Sequence, residues 1–400
     1  MSANDPGHIK EFLKDNLDKN QELDLKNLWK LIIENKERIF DENHEKELFY
    51  AFGSDNPDVL LLRFLRAKKW NINLAFEQLI ETIKWRIQSN VNQIVFNGEN
   101  HLSYEEILTG KTFYLGQDKF GRPINYVSVK DHIKGQFPSE STEKLTIFTM
   151  ETGRKLLKYP NESVTVIFDM NKFSMKNMDY QHVKFLINLL QNYYPECLGL
   201  GLIVNAPWLF TGCWHIIKPW LDPVVESKIH FIKNLDDLTK FIDLSNLSKR
   251  FNGYHADFNY IPPTEQDNRI LSTIREDYYG KAKANEYFQQ TSMNYLQITL
   301  EWINENDDQI NLLEKRKKAT EQLKYAYQQF IPYISTKTHY HRIGTYTPSN
   351  DLIQQTIQLF NQLTPQLHFQ GLPYQINLRP SIKSRFITKT KAKLSITSNS

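Results

Sequence analysis

At 400 residues the chain can bury a large core and hold two or three domains. It is 40% hydrophobic and 24% charged, an ordinary globular composition, and a net charge of +3 is too small to imply a nucleic-acid partner. Two cysteines, Cys197 and Cys213, argue against a disulfide framework and for a reducing compartment. No apolar run approaches the ~18 residues of a membrane span. The opening MSANDPGHIKEF lacks the basic-then-apolar pattern of a secretory leader, and neither a myristoylation start nor a prenylation end is read in the sequence. The expectation is a soluble protein whose membrane contact is peripheral.

Residues 1–22 are polar and weakly patterned and read as a flexible lead. From Asp24 to Phe52, Leu25, Leu28, Trp29, Ile32 and Ile33 recur at helical spacing. A second helix is predicted from an Asp58 N-cap after Pro57 through VLLLRFLRAKKW, and a third over Leu74 to Ile87. Residues 23–100 thus form a helical module. Thr112 to Val129 carries turn chemistry at Asp118 to Pro123 between alternating apolar residues, a hairpin signal. Strands and helices then alternate: a helix over Thr142 to Tyr159, VTVIFDM (Val164 to Met170), a helix over Asp179 to Tyr193, a strand over Leu200 to Val204, a helix over Trp208 to Leu221, a strand over Lys228 to Ile232, and helices near Leu235 to Phe251. That alternation predicts an α/β domain over residues 101–258, a mixed, largely parallel sheet covered by helices. PPTEQDNR (Pro262 to Arg269) marks a domain edge. A mainly helical C-terminal extension follows over 259–370. The last stretch, 371–400, is basic with a disordered composition.

No catalytic constellation emerges. There is no G-x-S-x-G elbow and no Walker A loop. Gly199-Leu200-Gly201 precedes its strand, the reverse of a dinucleotide fingerprint. Asp169, at a strand end, reads as an anchor for the following turn. His339 and His341 lack an acidic or cysteine partner in sequence, and Cys197 lacks a phosphate-cradling loop. Three features remain. Lys68-Lys69 ends a helix near Arg63 and Arg66, where a solvated helix C-terminus is the simpler reading. Glu196 and Lys228 flank a core strand, as a surface ion pair or as a site. The segment Trp208 to Leu221 is apolar nearly all round, so it is core or meets lipid, and its tryptophans favour an interface.

The ordered pieces LLRFLRAKKW, TIKWR, DKFGRPINYV, VIFDMNKFS, NYYPE, LIVNAPWLF, IIKPWLDPVVESK and KRFNGYH make the chain resemble the CRAL-TRIO family between about Asp58 and His255. Within the family the resemblance is to the fungal phosphatidylinositol-transfer branch. It implies a lobe with a sheet floor, an apolar pocket for acyl chains at ~0.8 kcal/mol per buried methylene, and a mobile gate helix. The gate position falls on Trp208, Leu209, Phe210, Trp214, Ile217, Trp220 and Leu221. The headgroup residues implied are Lys68, Lys69, Glu196 and Lys228, ammonium groups for a phosphate and a carboxylate for inositol hydroxyls. Two departures stand out. Val225 replaces a usual Thr, and Val164 and Val166 replace hydroxyl residues of members that carry phosphatidylcholine. The second ligand is then expected to be apolar, such as a sterol-like or isoprenoid lipid.

The resemblance implies a non-enzymatic lipid-transfer protein without metal or cofactor, whose bound lipid is phosphatidylinositol. It would act in the cytoplasm, in vesicle trafficking, and touch Golgi, endosome or endoplasmic-reticulum membranes transiently. An alternative is a scaffold presenting lipid to a phosphoinositide kinase or phospholipase, with the extension binding a protein partner. A hydrolase is a weaker alternative.

Overall fold

The computed structural model describes residues 16–35, 42–157, 160–305 and 309–345. The expected basic tail and most of the expected lead lie outside them. Helix α1, Lys19–Glu34, starts inside the expected lead. Asp18 and Gln21 form a reciprocal capping box there, and the buried stripe Leu25, Leu28, Trp29 and Ile32 follows at helical spacing. Helix α2 is Glu42–Phe52. Helix α3, Pro57–Ala67, is capped by Asn56, whose side chain accepts from Asp58 N, with Pro57 in the first turn. The predicted Asp58 cap is therefore corrected. Its carboxylate is turned into the core instead, where it accepts from Trp29 Nε1 at 2.8 Å. Helices α4, Ile72–Gln88, α5, Val91–Asn97, and α6, Tyr104–Leu108, complete the N-terminal third.

A five-stranded sheet follows in the order β1-β2-β3-β4-β5. Strands β1, Thr112–Gln117, and β2, Pro123–Ser128, form the antiparallel hairpin. Strands β3, Val164–Asp169, β4, Leu198–Val204, and β5, Ile229–Ile232, add in parallel, with Ile167 beside Leu202 and Gly201 beside Ile229. Parallel neighbours require crossovers. These are α7, Ser139–Leu156, α8, Tyr180–Asn188, and the pair α9, Phe210–Ile217, and α10, Pro223–Ser227.

Strand alternation splits the core. On one face Ile167, Leu200, Leu202 and Val204 pack with Leu238 of α11, Leu235–Thr239, and with Ile242, Leu247 and Phe251. The other face, with Val164, Val166, Phe168 and Ile203, meets α8 and α9.

The extension comprises α12, Glu265–Glu276, α13, Tyr278–Asn304, α14, Gln309–Ile334, and α15, His339–Arg342. Phe288, Tyr295, Trp302, Leu323 and Phe330 share one core with Trp29, Phe49, Leu62 and Phe64. At its centre the Arg316 guanidinium grips both oxygens of Asp58, each at 2.6 Å, donates to Tyr295 Oη at 2.6 Å, and lies 4.3 Å from the Trp302 ring centroid. The helices after residue 258 thus complete the core of those before residue 98.

Candidate functional site

In a parallel sheet, the residues that precede each strand gather at one edge and those that follow it gather at the other. At the first edge stand Glu162 before β3, Glu196 before β4 and Lys228 before β5. Lys228 Nζ donates to Glu196 Oε2 at 3.1 Å, with the side chains 17% and 25% exposed respectively. Each is placed by its backbone. Lys228 caps α10 through its N–H to Val225 O and Glu226 O, and its carbonyl accepts from Gly201 N at 2.8 Å. Glu196 has φ +59°, left-handed backbone that an L-residue occupies at a cost. It follows a π-turn, Leu189–Tyr193, whose end is fixed by Tyr193 stacking on Trp85 at 4.3 Å.

Helix α3 is fastened to this same edge. Arg63 Nη1 donates to Cys197 Sγ at 3.2 Å, one residue from Glu196. Burial works against the Arg63 charge, but Cys197, Glu162 and Asp55 outweigh it and hold its pKa above the ordinary arginine value. Arg66 pairs with Glu162. The helix ends in a Schellman motif: Trp70 N donates to Leu65 O at 2.7 Å and Lys69 N to Arg66 O at 3.0 Å. The position after the cap, normally glycine, is Lys69 with φ +50°, and Trp70 follows with φ +64°. Lys68 is half-buried and Lys69 exposed. Neither forms an ion pair with another described residue. The structure therefore joins Glu196 to Lys228 directly and ties the helix ending in Lys68-Lys69 to the turn that carries Glu196.

The segment read as a gate crosses the sheet from the opposite edge. Phe210, Cys213 and Ile217 are buried against Phe173, Met178, Ile187 and Ile203. Trp214 meets Phe231 edge-on at 5.2 Å, and Trp220 meets Tyr180 at 5.9 Å. Leu209 and Leu221 are half-buried. Trp208, ahead of the helix, is 86% exposed and Ile216 48%. The segment is shorter than the predicted Trp208 to Leu221. It is helical over eight residues and then tightens to a 3-10 turn at Lys218–Trp220, because Pro219 cannot donate into an α-helix.

Val164, Val166 and Val225 lie together in one apolar cluster with Tyr114, Leu198 and Tyr340. Tyr340 comes from the extension, and its hydroxyl accepts from Tyr114 N at 3.0 Å. It lines two crevices of about 430 and 320 Å³. The short segment that carries it is held through Glu99, which accepts from His339 N, Arg342 and Tyr260. His339 and His341, which have no acidic or cysteine partner in sequence for a metal, accept from Ile261 N and Thr338 N. Burial, with Arg342 beside it, lowers His339 to about 4, and burial with Lys155, Lys337 and Arg342 lowers His341 to about 3. Asp169 anchors its turn as read, accepting from Asn171 N at 3.0 Å and Asn205 Nδ2 at 2.9 Å. Sequence reasoning missed the left-handed lysine and glutamate, because a positive φ outside glycine has no sequence signature. It also missed Tyr340, which joins the sheet across 226 residues.

The lobe is thus a mixed sheet bounded by helical segments, with an apolar crossover helix laid across one face and a charged edge. Comparison with known proteins assigns the family. Residues 108–253 match the CRAL/TRIO domain and residues 9–81 its N-terminal domain. A CRAL-TRIO domain-containing protein of Schizosaccharomyces pombe is 41% identical over 305 residues, 74% of this chain and 68% of that protein. Phosphatidylinositol transfer protein CSR1 of Eremothecium gossypii is 35% identical over 313 residues, 75% of this chain and 71% of that protein. SEC14 cytosolic factor of Candida glabrata is 30% identical over 229 residues, 51% of this chain and 72% of that protein. The chain belongs to the CRAL-TRIO family. Among the described residues, no helix is long and apolar enough to cross a membrane.

Proposed function

We propose that this protein binds phosphatidylinositol and exchanges it between membranes without covalent chemistry. The observation that carries the reading is the Glu196–Lys228 pair at 3.1 Å, set at the sheet edge to which the Lys68-Lys69 helix is tied. Half-buried charges such as Lys68, Glu196 and Lys228 are costly alone, and an anionic polyhydroxyl headgroup would be complementary to them and to the exposed Lys69. The ammonium groups take the phosphate and Glu196 accepts from inositol hydroxyls. The apolar face with Val164 and Val166 takes the chains. It offers no side-chain hydroxyl at those two positions, which favours an apolar second ligand over phosphatidylcholine. The relative named as a phosphatidylinositol transfer protein supports the same ligand, and the cytosolic naming of another supports action from the cytosol on membrane surfaces.

Lipid analysis of the purified protein tests this: phosphatidylinositol should co-purify or compete for the site. A protein that neither carries nor takes up any phosphoinositide would remove the headgroup assignment. In the scaffold alternative, the extension binds a partner. Its packing against Trp29 and Phe49 confines such a partner to the extension's outer surface, where Ile310 is 83% exposed.

A further inference from the structure

The edge opposite the Glu196–Lys228 pair carries a second pattern. The loop after β2 reads KDHIK, Lys130 to Lys134, and the loop after β3 reads KFSMK, Lys172 to Lys176. Each has lysines four apart with an apolar residue just before the second. Because β2 and β3 are parallel neighbours, both loops leave the sheet at this edge. They are bonded together: Lys134 N donates to Lys176 O at 3.0 Å, and Asn177 Nδ2 donates to Lys130 O at 3.1 Å and His132 O at 3.0 Å. The apolar residues point outward, Ile133 43% and Met175 52% exposed. None of the four lysines is ion-paired with a described residue. The acids nearby are engaged inward. Asp131 accepts from Ser128 Oγ, Asp169 holds Asn171 and Asn205, and Asp179 caps α8 and faces His132. Lys172 has φ +59°, an unfavourable backbone for a lysine. Phe173 packs on Phe210 at 5.5 Å, and Cys213 Sγ lies 3.9 Å from Met175 Sδ, so the KFSMK loop abuts the start of α9, which the exposed Trp208 precedes by two residues.

We propose that the KDHIK and KFSMK loops, with Trp208, form the surface on which the protein docks to an anionic bilayer. Four unpaired cations fit the negative leaflet surface, while Ile133, Met175 and Trp208 reach into the interface. The proposal rests on the lipid-exchange reading for its purpose, yet docking and headgroup selection occupy opposite edges and separate experimentally.

The test is sedimentation of the full chain with phosphatidylcholine vesicles, with and without phosphatidylserine, at low and high salt. Replacing Lys130, Lys134, Lys172 and Lys176 together by Gln should weaken binding to the anionic vesicles roughly fivefold per lysine removed, and leave binding to the neutral ones unchanged. The corresponding Arg variant should bind like wild type, which separates charge from misfolding. Replacing Lys315, Lys317 and Lys318, exposed on α14, should have no effect. Equal losses on both vesicle types, binding indifferent to salt, or equal losses from the α14 lysines would overturn the proposal. So would a wild-type chain that ignores anionic vesicles but binds polyglutamate through these loops, which would make them a protein-docking surface. Uptake of phosphatidylinositol from detergent micelles, where no bilayer exists, should be unaltered in the Gln variant. A wild-type chain that docks but never takes up phosphatidylinositol would leave docking standing and remove the headgroup assignment.

Discussion

Lys69 gives the sharpest test of the headgroup reading, because folding and binding want different residues there. Its φ of +50° places it after the cap of a Schellman motif, where glycine is favoured. Left-handed backbone costs an L-residue roughly 1–2 kcal/mol, and glycine's extra chain entropy takes back roughly 0.5–1 kcal/mol. Lys69→Gly should therefore stabilise the protein by up to about 1 kcal/mol, moving the urea midpoint upward by about 0.3 M for a slope near 3 kcal/mol/M. The side chain is exposed and joins no ion pair with a described residue, so its removal takes no fold contact with it. If Lys69 serves a phosphate, the same substitution removes a charge-assisted bond of roughly 1.5–3 kcal/mol and should weaken phosphatidylinositol binding by roughly 10- to 150-fold. The measurements are urea unfolding and vesicle-to-vesicle transfer of phosphatidylinositol, with Lys69→Arg as the charge-retaining control. A glycine variant that is more stable and transfers as well as wild type would refute the binding role and leave Lys69 a solvated helix end. A glycine variant clearly less stable than wild type would refute the strain argument.

Other outcomes follow from the same structure. Lys228→Ala should lower phosphatidylinositol transfer far more than binding of an uncharged apolar lipid, whereas equal losses would indicate general damage. Asp58→Ala should cost about 3–5 kcal/mol in urea unfolding, because the buried Arg316 guanidinium is left without its counter-charge; a loss under about 1 kcal/mol would contradict that reasoning. Deleting everything after Phe258 should abolish cooperative folding, since it strips Tyr295, Trp302 and Phe330 from the shared core; a folded, transferring truncation would show the extension to be dispensable. Acid should weaken the fold through buried histidines. His182 and His339 are lowered to about 4 and His341 to about 3 from an ordinary 6.5, so between 6.5 and 4 the unfolded chain binds more protons. Stability then falls as pH drops through that window, and replacing His339 and His341 by Gln should flatten the urea midpoint across it.

Much of the architecture was legible because it rests on local periodicity. Short, near-continuous apolar runs in VTVIFDM and in Leu200 to Val204 read as buried strands, and Val183, Leu186 and Ile187 at helical spacing give a helix. Boundaries were less legible where a cap or a proline competes with the pattern, as at Asp18, Asn56 and Pro219. The site was legible as residue types but not as geometry. Nothing local in NYYPE or VVESK says that their charges meet at 3.1 Å, since that follows from β4 and β5 being parallel neighbours. The Asp58–Arg316 pair, 258 residues apart, was invisible for the same reason. Asp58 looked like a cap because caps and buried carboxylates use the same residue, and only the tertiary partner distinguishes them.

The sheet's polarity carries the functional logic further than any single residue. Connections before β3, β4 and β5 place Glu162, Glu196 and Lys228 at one edge, and connections after β2, β3 and β4 place Lys130, Lys134, Lys172, Lys176 and Trp208 at the other. Helix α9 is the crossover between β4 and β5, so it must run from the second edge back to the first. Helix α9 therefore lies on the apolar face and links both edges. At the second edge it is held through Phe173, Met175 and Phe231, contacts that are apolar and partly exposed. Such contacts lose their advantage over solvent once a bilayer supplies an apolar alternative. At the first edge α9 leads through Asp222 into α10, which ends at Lys228. The contacts at the second edge and the lysine that pairs with Glu196 thus stand at the two ends of one continuous stretch of chain.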